Sequence, residues 1–187
     1  MATGGDVNFL LEQLLSRVPT RARCLDVGCG DGSVGFALAA RGCSVLGIDL
    51  ALPLPHGIRF DISDITVGSV ALIKADGLDI ALEERFDVVL ALGLLHSLGD
   101  RHRVEQAIRR IGGWTAPGGL ALVSWLVDAS PSTAVHIEAY FPPADVVVEQ
   151  LIAFGFSCVS LTCSQVAHAH GGLHHAHHVI YSSWRYR

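Results

Sequence analysis

The segment Leu25-Asp26-Val27-Gly28-Cys29-Gly30-Asp31-Gly32 most tightly limits what this chain can fold into. Three glycines alternate there, between a short apolar run and a helical stretch from about Ser33 to Ala40. Such a run suits a backbone that turns sharply and lets a ligand come close. After Gly42 a second strand, Ser44 to Ile48, ends on Asp49. A strand, helix and strand in about 30 residues is the size of one parallel crossover.

The rest of the chain repeats this alternation. An amphipathic helix is predicted from Val7 to Val18, where Phe9, Leu10, Leu11, Leu14, Leu15 and Val18 recur at helical spacing before Pro19 stops the run. Further strands are predicted at Ser69 to Lys74, Phe86 to Ala91, Gly119 to Trp125, Phe156 to Thr162 and His177 to Trp184. Helices are predicted from about Arg101 to Ile111 and from Pro143 to Phe154. Only Gln165 to Gly172 separates the last two strands, so they should pair antiparallel. The fold expected is α/β: a doubly wound, mostly parallel seven-stranded sheet with a C-terminal antiparallel hairpin strand and helices on both faces. Two prolines and the run DISDIT obscure the helix that belongs between Leu50 and Gly68.

Of the 187 residues, 50% are hydrophobic and 17% charged, enough to bury a core and too apolar for general disorder. One domain, 1–187, is expected: an N-terminal helix over 1–20, a ligand-binding core over 21–125, and a loop, helix and hairpin over 126–187. A net charge of -5 argues against nucleic acid or an anionic membrane as partner, leaving a small molecule. The start lacks a basic n-region, and the longest apolar stretches, such as Val88 to Leu95, fall short of a membrane span. A cytoplasmic protein is the expectation, with oligomeric state left open. Five cysteines without CxxC spacing are expected as free thiols, with Cys158 and Cys163 on opposite faces of a strand in the core. Arg101, Arg103, Arg109 and Arg110 read as a solvated helix face, with Glu105 and Arg109 at ion-pair spacing.

The loop's chemistry narrows the ligand. A dinucleotide fingerprint would put its third glycine at position 33, but here it stands at 32, and Asp26 and Asp31 bring negative charge. Such a loop repels a diphosphate and suits an ammonium and a sulfonium. Asp49, 21 residues after Gly28, can accept hydrogen bonds from two ribose hydroxyls. An adenosine with a cationic tail fits better than NAD.

Taken in order, LDVGCGDG, GIDLA, ADGLD, FDVVLALGLLHSL and APGGLALVSW resemble the motifs of class I S-adenosylmethionine-dependent methyltransferases, from about Leu25 to Trp125. Among that family the chain looks most like small stand-alone enzymes of the tellurite-resistance and natural-product-tailoring kinds. The resemblance implies methyl transfer from S-adenosylmethionine to a small-molecule acceptor, with S-adenosylhomocysteine as product. It implies that the backbone at Gly28, Cys29, Gly30 and Gly32 holds the methionine end, and that Asp26 supports the loop and the ammonium. Asp49 would bind the ribose, Leu50 would cover one adenine face, Asp76 would accept from the adenine amino group, and Gly77 would lend its backbone. Asp61 and Asp64 compete for the adenine role. Leu92 and Gly93 would border the methionine and the transferring methyl. Ala91-Leu92-Gly93-Leu94 replaces the Asn/Asp-Pro-Pro-aromatic motif of relatives that act on amides or base amino groups, which disfavours those acceptors.

Methyl transfer is an in-line displacement, so a base is needed only where the nucleophile must lose a proton. His96, just past the fourth strand, is a candidate base, against a reading as a packing residue. His136, Glu138 and Tyr140 fall where a substrate lid is expected, bracketed by Pro131, Pro142 and Pro143. Six histidines in HAHGGLHHAHH form the least usual feature. On a strand His175 and His177 share one face and His174 and His178 the other, so the run reads as a polar hairpin, as a metal site of His174, His175, His177 and His178, or as substrate contact or proton transfer by His175. Two other functions stay open: a cofactor-binding module that does not methylate, such as a cyclase or regulator, and a metal-handling protein.

Overall fold

The computed structural model describes residues 4–52, 66–127, 140–170 and 173–187, with backbone alone for 4–8, 167–170 and 173–175. The elements run α1 Gly4–Leu15, β1 Arg23–Val27, α2 Ser33–Ala39, β2 Ser44–Asp49, β3 Val70–Lys74, β4 Phe86–Leu92, a 3-10 turn Leu95–Ser97, α3 Arg101–Trp114, β5 Thr115–Leu126, α4 Ala144–Ala153, β6 Phe156–His170 and β7 Leu173–Tyr186. Seven strands form one sheet in the order β3-β2-β1-β4-β5-β7-β6. β1 to β5 pair parallel, and β7 pairs antiparallel with both β5 and β6. The expected doubly wound α/β sheet is therefore the fold.

Each central strand is apolar on both faces because each face is covered. Leu25, Val27, Leu46, Ile48, Val89 and Ala91 belong to the core under α3 and α4, with Val104, Ile108, Ile111, Val147 and Leu151. Cys24, Val45, Val88, Leu90 and Leu122 belong to the opposite core, with Leu14 of α1 and Leu38 of α2. Asp100 caps α3 by accepting from the Arg103 amide at 2.9 Å. The strand order reverses between β1 and β4, which opens a crevice beyond their C-terminal ends.

Three expectations change. α1 begins and ends earlier than predicted, because the last residues before Pro19 leave the helix as a turn. The hairpin link shrinks to 171–172, since β6 runs on to His170 and β7 starts at Leu173. The histidine run thus lies in a paired ladder rather than a loop. Among the described residues the β5–β7 ladder reaches Leu126 opposite Val179, and residues 173–178 with their β6 partners continue past the C-terminal end of β5. Finally, Cys158 and Cys163 are exposed rather than core, and share a face. The register slips between Cys158 and Ser160, and this bulge at Val159 absorbs the residue that would have separated them. All five cysteines are free. Among the described residues no helix is long and apolar enough to cross a membrane.

Candidate cofactor and acceptor site

The crevice at the strand-order reversal is a cleft of about 570 Å³. Gly28, Asp49, Leu50, Asp76, Gly77 and Gly93, all expected from the sequence, line it. Asp49 and Asp76 stand at or just past the ends of β2 and β3, so two neighbouring parallel strands deliver both carboxylates to one wall. Leu50 is 56% exposed at the lip, a placement that suits an apolar ligand face rather than the core.

Glycine is required at two of these positions. Gly28 has φ +75°, and a Cβ there would stand 3.0 Å from Leu94 Cδ1. At Gly77 a Cβ would come within 2.6 Å of Val27 Cγ1, so only glycine lets this backbone lie against the end of β1. Any side chain at either position would push into the cleft or its floor.

The loop after β1 spends its amides internally. Gly28 and Cys29 N–H donate to the Ile48 carbonyl at 2.8 and 3.2 Å, Gly32 N–H donates to Cys29 O at 2.9 Å, and Gly30 N–H donates to Asp49 Oδ2 at 2.8 Å. A loop with those donors already used is poorly equipped for a diphosphate, which binds through N–H groups. Of the four predicted loop residues only Gly28 lines the cleft. Gly32 instead packs close to the Leu72 and Phe36 side chains. Cys29 is buried, and burial pushes its thiol up to about 12, with Asp26 and Asp49 adding to the shift.

Asp26 lies behind the loop and is 3% exposed, with no hydrogen-bond partner for Oδ2 among the described residues. Burial, and then the charge of Asp49, raise its carboxyl to about 7. An unsatisfied buried carboxyl is costly, and a nearby cation would offset that cost. The donor set therefore fits a ligand with a positive tail and a ribose, which is what S-adenosylmethionine carries.

Asp49 holds the loop as well as the wall. Its Oδ2 takes the Gly30 amide and its Oδ1 the Ala51 amide, at 2.8 and 2.7 Å. Each carboxylate oxygen keeps a lone pair for a ribose hydroxyl. Asp76 accepts from Leu78 N–H at 2.9 Å through Oδ1, and from Arg103 Nη2 at 2.8 Å through Oδ2. Its partial burial acts upward, but the Leu78 and Arg103 bonds and the guanidinium charge outweigh that and hold the carboxyl below its ordinary range. Asp61 and Asp64, the competitors for the adenine role, lie outside the described residues.

Sequence reasoning missed Arg103, Leu94, Ser97 and Leu98, which also line the cleft. α3 carries Arg103 over Asp76 in an ion pair, while the arginine that pairs with Glu105 is Arg101 at 2.9 Å rather than Arg109. Arg109 and Arg110 lie over the Phe154 and Trp114 rings. Arg103 is 40% exposed, so Arg103→Ala should cost less than about 1 kcal/mol of stability. The carboxyl of Asp76 should then titrate at higher pH, which an NMR titration of the variant would detect.

On the acceptor side, the 3-10 turn sets His96 half-buried beneath Gly93, whose added Cβ would meet His96 Cε1 at 3.8 Å. Leu126 N–H donates to His96 Nδ1 at 3.4 Å, and Tyr140 N–H donates to His96 O at 3.1 Å. Two predicted candidates, His96 and Tyr140, are thereby brought together. Next to them Phe141 stacks on His177, with ring centres 6.3 Å apart. Val127 N–H donates to His178 O at 3.0 Å, tying the histidine ribbon to the end of β5. Leu92 ends β4 half-buried. His136 lies outside the described residues, as do the side chains of His174 and His175. Within the described residues no group of three or more His, Cys, Asp or Glu is arranged to hold a metal.

Comparison with known proteins identifies the family. Residues 25–121 match the methyltransferase domain family. The chain belongs to the class I S-adenosylmethionine-dependent methyltransferases. Over 118 residues it is 35% identical to a ubiquinone biosynthesis O-methyltransferase of Azorhizobium caulinodans, covering 62% of this chain and 44% of that protein. It thus spans less than half the length of that relative. The fold matches the N-methyltransferase NodS of Bradyrhizobium japonicum in complex with S-adenosylhomocysteine, with a TM-score of 0.66 and 19% identity over 97% of this chain and 86% of that one. It matches the [4+2]-cyclase SpnF with a TM-score of 0.68 and 16% identity, over 100% of this chain and 83% of that one. S-adenosylmethionine is the cofactor of this methyltransferase family, and the cleft residues suit it.

Proposed function

We propose that this methyltransferase-family protein methylates a small-molecule acceptor, and that the cleft over β1, β2 and β4 is its cofactor site. The observation that carries the reading is the pair of carboxylates, Asp49 and Asp76, on one wall beside Gly28 and the exposed Leu50. In this reading Asp49 takes the ribose hydroxyls, Asp76 the adenine amino group, Leu50 an adenine face, and Asp26 the charge of the ammonium. Gly77 lets the adenine approach, and Leu92 with Gly93 floors the reacting end. The cofactor supplies an electrophilic methyl for in-line displacement, so the protein's main task is to orient an acceptor.

His96, Tyr140 and the Phe141–His177 stack border the acceptor side. Leu126 N–H donates to His96 Nδ1 and Tyr140 N–H to its carbonyl, which fixes the ring between the end of β5 and the segment before α4. We therefore assign His96 to positioning, with catalysis by orientation. The ubiquinone-pathway relative favours a small aromatic or quinone-like acceptor over a macromolecule. Incubating purified protein with S-adenosylmethionine and a panel of phenols, thiols and amines tests this: S-adenosylhomocysteine should form with at least one small acceptor. Tight cofactor binding without turnover across the panel would instead favour a non-methylating role, as the fold shared with a cyclase allows.

A further inference from the structure

The sheet ends in an unusual edge. Among the described residues β6 is the last strand and runs 15 residues, Phe156–His170, with one side unpaired. Proteins usually protect such an edge with charged side chains. Here no Asp, Glu, Lys or Arg occurs from Phe156 to Trp184. Val159 and Leu161 are 46% and 42% exposed, and Ile152 of the helix packed against β6 is 53% exposed.

The bulge makes this edge symmetric about Leu161. Cys158 opposes Trp184, Leu161 opposes Ser182 and Cys163 opposes Ile180, so all three share one face of β6. With Val159 as the extra residue, Cys158 lies two ladder steps before Leu161 and Cys163 two steps after it. One step further on each side stands a serine, Ser157 and Ser164. A strand whose composition reads the same in both directions matches an antiparallel copy of itself, with neither like charges nor a face mismatch to oppose pairing.

We propose that two copies of this chain pair antiparallel through β6 about a two-fold axis at Leu161, joining their sheets into one. In that register Leu161 meets Leu161 of the second copy, Ser160 meets Thr162, and Cys158 meets Cys163. The free amides and carbonyls of each edge satisfy those of the other, and the exposed apolar side chains gain cover. The cofactor clefts lie toward β1 and β4, away from the joint, so each copy keeps its own site.

Sedimentation of the whole protein should show a species of twice 19.9 kDa. Leu161→Lys sets two ammoniums face to face across the axis and should raise the dimer dissociation constant at least about tenfold. Unchanged circular dichroism and S-adenosylhomocysteine binding would show that the variant is folded. On the unaltered protein, a short thiol-to-thiol cross-linker should join Cys158 of one copy to Cys163 of the other, as peptide mass spectrometry would reveal. Sedimentation as a monomer at every concentration, a dimer untouched by Leu161→Lys, or a dimer without that cross-link would each overturn the proposal.

Discussion

Asp49→Ala should weaken S-adenosylhomocysteine binding by at least roughly 100-fold in calorimetry. Hydrogen bonds to a charged group are worth about 1.5 to 3 kcal/mol each, and two ribose hydroxyls would be lost together. The same carboxylate holds the Gly30 and Ala51 amides, so the variant also releases the loop that shapes the cleft floor. Asp49→Asn keeps one acceptor oxygen but turns an amino group toward a backbone N–H, and should fall between the two. Affinity within threefold of the parent in Asp49→Ala would sink the ribose assignment. A matching loss for Asp76→Ala should be smaller, because that residue contributes one bond to one edge of the adenine.

Asp26 should make stability fall as pH rises from about 4 to about 7. Its folded-state carboxyl is raised to about 7 from an ordinary value of 3.8, so in that window the native state holds a proton that the unfolded chain has released. Raising the pH then favours unfolding, by up to about 4 kcal/mol across the full window. Above about 7 both states are ionised and the slope vanishes. Asp26→Asn should flatten the profile and stabilise the ligand-free protein at pH 8 by about 1 to 3 kcal/mol, since an amide avoids the charge but still lacks full hydrogen bonding. Urea unfolding at several pH values measures this directly. In the unaltered protein, binding a cationic ligand near this loop should release a proton at pH 6.5, visible as a buffer-dependent binding enthalpy. A flat pH profile in the parent would show that the Asp26 carboxyl ionises in the folded protein as it does in the unfolded chain.

The two acids also mark what could be read without a structure. Asp49 was legible because its role depends on position in one local unit: it ends the strand that follows the glycine loop and helix. Asp76 was legible for the same reason one strand later. Asp26 was legible as an acid in the loop's motif, but not its burial, its raised carboxyl or its orphaned oxygen, which depend on the strands on either side. Arg103 looked like one more solvated arginine because nothing in α3 announces that its first turn crosses the end of β3. The pairing of His96 with Tyr140 joins residues 44 apart, and no spacing rule connects them.

Cysteine placement shows the same division. Five residues on a regular strand put Cys158 and Cys163 on opposite faces, and one bulge reversed that. A bulge is a response to the partner strand, so it leaves no clear mark on the strand that carries it. The histidine run is similar, since its ladder register depends on how far β6 and β7 can pair beyond the end of β5.

By itself, then, the sequence determined the alternation of strands and helices, the buried character of the parallel strands, the glycine turn and the two acids that follow it. Those features arise from local propensity and from periodicity within a few tens of residues. Only the tertiary structure decided which amides of the loop were spent, which arginine reached the cleft, how far the hairpin ran, and what the edge strand exposed. Each of those depends on contacts between segments far apart in the chain, where packing and register set the outcome.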